Sequence, residues 1–123
     1  MTRPSLPPGW PPEVPPPDAT DWVERAQAYL LDRCPPDYRT EPVYRRHPVV
    51  LGWLAGRQAQ ARLDAARSAY GAVRRELGDT IGPEALADTL QALEREGSRL
   101  LAEQRSIGLV AEALGGGRFV PRL

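Results

Sequence analysis

Apolar and small residues recur along this chain with alternating steps of three and four, and they do so twice. One ladder climbs Val49, Gly52, Gly56, Ala59, Leu63, Ala66, Tyr70, Val73 and Leu77. The other climbs Leu86, Leu90, Leu93, Gly97, Leu100, Gln104, Ile107, Ala111 and Leu114. That spacing keeps one face of an α-helix turned toward a partner. Folded back on itself, the chain pairs the ladders rung by rung, Leu77 with Leu86 and Val49 with Leu114. The pattern predicts a long antiparallel, coiled-coil-like two-helix hairpin with helices over about 48–77 and 83–114. Pro48 and Pro83 suit first helical positions, and Gly78-Asp79-Thr80-Ile81-Gly82 reads as the turn between them.

The rungs also predict packing. Gly52 opposite Ala111, and Ala66 opposite Gly97, would bring the backbones close, so Leu at Ala66 or Gly97 is expected to overpack the seam. Tyr70 faces Leu93, Gly56 faces Ile107, and Gln104 opposite Ala59 is the one polar rung. Further apolar residues, Val50, Trp53, Leu54, Leu109 and Val110, gather at the open end of the hairpin. A short first helix is expected to pack there. The remaining closed end is left either as a free arm or, through its alanine stripe, as half of a four-helix dimer.

Ahead of the ladders lies a different texture. Residues 1–17 carry Pro4, Pro7, Pro8, Pro11, Pro12, Pro15, Pro16 and Pro17, which predicts an extended arm rather than helix or central strand. Trp10 and Val14 are its odd members. A solvated arm gains little from an indole, so Trp10 is expected to dock, on this chain's own helices or on a partner. The domain then spans 18–123. Trp22, Ala26, Tyr29, Leu30 and Cys34 share one face of a short helix over about 19–34, which Pro35-Pro36 ends. Residues 37–47 form a polar connector. Gly115-Gly116-Gly117 closes the last helix, and the tail 115–123 brings Phe119 and Val120 back toward the helix bases. The fold class is all-α.

Composition narrows the chemistry. The chain has 123 residues with 16 basic and 16 acidic side chains, so no global field draws it to nucleic acid or an anionic surface. The balance conceals an asymmetry: residues 57–77 carry five Arg against Asp64 and Glu76, whereas 84–114 carry six acids against three Arg. Opposite signs on neighbouring helices favour their pairing through weak surface contacts. Every basic side chain is Arg, and Lys and Asn are absent, as in a GC-rich, bacterial coding sequence. No lysine Schiff base or P-loop lysine is therefore available. One Cys, Cys34, and one His, His47, exclude an internal disulfide and a conventional zinc site. Cys34 closes an apolar helix face and is expected to be an inert thiol. No signal-peptide core or membrane-length apolar run occurs, and a cytoplasmic location is expected.

Three constellations invite a role. Arg39, Arg45, Arg46 and His47, interleaved with Tyr38 and Tyr44, precede a helix N-terminus that favours anions. The plainer reading pairs Arg45 and Arg46 with Asp32 and Asp37 of the first helix. The run Arg57, Arg62, Arg67, Arg74 and Arg75 reads first as e- and g-like partners of the acidic helix. Glu76, Asp79 and Glu84 surround the hairpin tip, where they cap helices or meet a partner. No catalytic motif, cofactor site or metal site is expected. The resulting expectation is a non-catalytic protein-interaction or assembly protein, as a monomer or a homodimer, with Trp10, Glu76, Asp79 and Glu84 as candidate partner contacts. The alternative is a nucleic-acid- or nucleotide-associated protein using Arg39, Arg45, Arg46, His47 and the basic helix.

Overall fold

A computed structural model describes residues 6–117. Among these residues the chain is mostly helical and contains no strand. In order come α1 (Trp22–Leu31), a 3₁₀ turn (Pro36–Thr40), α2 (Pro42–Arg46) and α3 (Pro48–Leu114). The expected connector 37–47 is thus two short helical turns, each opened by a proline at its first position. The first helix is shorter than the expected 19–34. It starts after Asp21 and gives way at Asp32 to turn bonds, Arg33 N–H to the Leu30 carbonyl and Cys34 N–H to that of Leu31.

In α3 the expected five-residue turn at 78–82 is absent, and one residue interrupts the helix. Residues 78–81 stay helical, and only Gly82 has non-helical dihedrals, with φ 77° and ψ 169°. Two adjacent constraints explain this. Pro83 drives the preceding residue to an extended ψ, and a positive φ beside that ψ is accessible essentially to glycine alone. α3 is therefore one helical stretch of 67 residues with a single break, in place of two helices parted by a five-residue turn.

The parts of α3 before and after Gly82 touch at several heights. A Cβ added to Gly52 would lie 3.0 Å from the Ala111 Cβ and 3.1 Å from its Cα, the close approach expected of that rung. Higher up, Gln104 Nε2 donates to Gln60 Oε1, and Leu63, Ala66 and Leu100 form a small buried cluster. At the base, Leu51, Ala55, Ala59, Ile107 and Val110 bury with Ala26, Tyr29, Leu30 and Leu31 of α1 and with Val14.

Several rungs depart from the ladder. Val49 is 55% exposed while Leu51 is fully buried, because α1 covers the flank of α3 on which Leu51 lies. Tyr70 and Leu77 are exposed as well. A Cβ on Gly97 or Gly56 meets nothing within 4 Å. The expected crowding of Ala66 against Gly97 is therefore absent, and Gly97 borders open space.

The proline-rich arm, from residue 6 onward, is not simply extended. Turn bonds from Trp10 N–H to the Pro7 carbonyl and from Val14 N–H to the Pro11 carbonyl fold it, and Val14 enters the core at 2% exposure. Gly115–Gly117 leave the helix, with Gly116 at φ 90°. Phe119 and Val120 lie outside the described residues. No helix among those described is long and apolar enough to cross a membrane.

Candidate interaction surface

Trp10 packs on the protein's own core, and its Nε1 donates to the Val14 carbonyl at 2.8 Å. The arm is also tied down by polar contacts that periodicity does not reveal. Ser106 Oγ donates to the Gly9 carbonyl at 2.6 Å. Arg33 reaches Glu13 at 3.0 Å and Glu103 at 3.1 Å, while its guanidinium carbon sits 3.7 Å from the centre of the Tyr29 ring. Arg62 approaches the other Glu103 oxygen at 3.7 Å. One partly buried carboxylate thus draws together α1, both parts of α3 and, through Arg33, the arm. Such shielded pairs contribute more than exposed ones, provided that both partners remain. Charge signs along the sequence hinted at contact between the two parts of α3. Nothing in the sequence singled out Arg33 or Glu13.

The basic connector divides. Arg39 pairs with Asp32 at 2.6 Å, taking the acid that the sequence offered to Arg45 and Arg46. Those two arginines and His47 are exposed and form no ion pair among the described residues. Tyr38 and Tyr44 stack at 4.7 Å. Gln58 donates to the Tyr38 hydroxyl, and Gln27 donates to the carbonyls of Tyr44 and Arg45. These contacts pin the connector against α1 and α3. They leave Arg45, Arg46 and His47 facing solvent beside an N-terminus of α3 from which Pro48 has removed one donor.

Cys34 packs against the core. Burial pushes its thiol above the usual value, and the Arg62 guanidinium offsets only part of that rise. The same burial raises the Tyr29 hydroxyl. A thiol so placed is a poor nucleophile. Glu76, Asp79 and Glu84 are all exposed around Gly82. Among the described residues no cluster of three or more His, Cys, Asp or Glu could hold a metal ion.

Helical geometry sorts the rest of α3 into two sides. At about 100° per residue, Leu51, Ala55 and Arg62 flank the Ala59–Leu63–Ala66 line on the side covered by α1. Gly56, Gln60, Arg67 and Arg74 flank it on the other. After Gly82, Glu103, Ser106 and Val110 face α1 and the arm, whereas Gly97, Leu101, Gln104 and Gly108 face away. No described element covers the second side. An open groove of about 370 Å³ lies there, with Ala66 and Gly97 at its floor. Arg67 and Tyr70 form one wall, and Leu93, Glu94 and Leu101 the other. Tyr70 is 44% exposed and Leu101 49%. Nearer the base of the same side, Trp53 is 61% exposed with Arg57 stacked 5.0 Å from its ring centre. The ladder positions named Tyr70 and Leu93 but assigned them to a closed seam, so the groove was missed. Comparison with known protein-family models, curated proteins and solved structures found no match to this chain.

Proposed function

We propose that this protein is a non-catalytic interaction or assembly protein in which α3 is an antiparallel, coiled-coil-like helical hairpin turning at Gly82. The hairpin is supported by the contacts across that break. A straight helix would hold residues 60 and 104 about 66 Å apart, yet their side chains hydrogen-bond. The observation that carries the function is one-sided covering. α1 and the arm bury one side of α3, and the opposite side keeps Tyr70 and Leu101 exposed along a groove and Trp53 exposed nearer the base. Large aromatic and aliphatic groups gathered on one side of a small protein are characteristic of a binding surface. The acids Glu76, Asp79 and Glu84 form a second candidate contact at the tip.

The test is retention of a protein by the immobilised full chain, repeated with Tyr70→Ala, with Leu101→Ala and with Glu76, Asp79 and Glu84 changed together to Arg. Stoichiometric binding that one of these changes abolishes supports the reading. A chain that retains nothing and does not self-associate overturns it. A second reading, nucleic-acid binding, draws on Arg45 and Arg46, exposed and without an ion pair among the described residues. It requires binding that weakens steeply with salt and falls in Arg45→Ala/Arg46→Ala.

A further inference from the structure

The groove carries two charges that the chain leaves unmatched. Arg67 and Glu94 stand on its opposite walls, both exposed, and neither forms an ion pair among the described residues. Residues 57–77 sum to +3 and residues 84–114 to −3; Arg62 and Glu103 meet on the covered side, and on the groove side the difference rests on Arg67 and Arg74 against Glu94. A surface with one positive and one negative strip is complementary to its own copy in one orientation and repulsive in another.

Resting on the hairpin reading above, we propose that the occupant of this groove is a second copy of the chain, joined about a twofold axis parallel to the helices. With the axis in that direction, each basic strip lies over the acidic strip of the other copy, and both tips point the same way. Rungs keep their heights, so Arg67 comes to the level of Glu94 of the second copy. Tyr70 comes to the level of Leu93 and Gly97, and Trp53 faces the neighbourhood of Gly108. Gly56, Gly97 and Gly108 have nothing within 4 Å of a would-be Cβ, which leaves room for side chains from the facing helices. An axis running across the helices would instead set Arg67 and Arg74 against the other copy's arginines. α1 and the arm occupy the far side of each copy and do not obstruct the contact.

The area is sufficient. Two helices about 45 Å long and together about 20 Å wide offer about 900 Å², against about 800 Å² per partner in a standard stable interface. The product is a four-helix bundle with each α1 on its outer surface.

Light scattering on the full chain decides the matter. The expected mass is twice the 13.6 kDa of one chain, dissociating on dilution. Arg67→Glu and Glu94→Arg, both at exposed positions, are each expected to weaken association at least tenfold while leaving the helical circular dichroism unchanged. The doubly swapped chain recovers it. A monomer at every concentration to about 100 µM overturns the proposal, as does an Arg67→Glu chain that dimerises undiminished or more tightly. A monomer that still retains another protein through Tyr70 or Leu101 refutes this inference alone and leaves the broader interaction role standing.

Discussion

Replacing Gly82 with Ala isolates the backbone as the source of an energy. A Cβ at this position meets no atom within 4 Å, so the substitution introduces no clash. It does place an L-residue at φ 77°, ψ 169°, a region that costs non-glycine residues about 1–3 kcal/mol. Pro83 blocks escape toward helical ψ. Alanine also restricts the unfolded chain, which returns about 0.4–1 kcal/mol. The net loss is then about 1–2 kcal/mol. With a urea m-value of about 1.5 kcal/mol/M, the midpoint falls by about 0.7–1.3 M at unchanged slope. Gly78→Ala is the internal contrast. Gly78 lies in helical backbone, and its nearest neighbour to an added Cβ is Arg74 Cγ at 4.0 Å. That change is expected to stabilise by about 1 kcal/mol. Urea titrations followed by circular dichroism give both numbers. Opposite signs localise the break in α3 at one residue. A neutral or stabilising Gly82→Ala refutes the argument, and so does a destabilising Gly78→Ala, which would restore the broader turn that the sequence suggests.

Gly52→Ala is expected to cost about 1–3 kcal/mol despite the better helix propensity, because Ala111 backbone lies 3.1 Å from the new Cβ; thermal denaturation reads it directly. Glu103→Ala is expected to lose about 1 kcal/mol by taking the acid from Arg62 and leaving Arg33 with Glu13 alone, and an Arg33→Ala/Glu103→Ala double mutant should lose less than the sum of its single mutants. Cys34, partly buried and with a raised thiol, is expected to react with a disulfide reagent at neutral pH below the rate of a free thiol, and at the free rate after urea unfolding.

The sequence made helices legible because their period is set by local geometry, and Gly52 against Ala111 followed from the same arithmetic. Periodicity does not say which flank of a stripe a third element will cover. Leu51 and Ala55 were therefore not singled out, although α1 buries them, while Val49 and Tyr70 were assigned to a seam that α1 and the groove leave open. The one-residue break depended on how Gly82 and Pro83 act together, whereas a composition of turn-forming residues suggested five positions. The Glu103 cluster escaped for another reason. Its members come from residues 13, 33, 62 and 103, and no local pattern relates positions so far apart. Among the candidate site residues, Trp10 packs on the chain's own core, Arg39 is claimed by Asp32, and Arg45, Arg46 and His47 remain exposed.

The arm's bond from Ser106 to Gly9 has a consequence for how the molecule is made. The two residues are 97 apart in sequence, and at about 5–20 residues per second a ribosome delivers them some 5–20 s apart. Through that interval Trp10 and Val14 have no Ile107 or Val110 to bury against, and closing so long a loop is slow. Trp10 and Val14 must wait for Ile107 and Val110, so the nascent chain carries an uncovered indole through that interval.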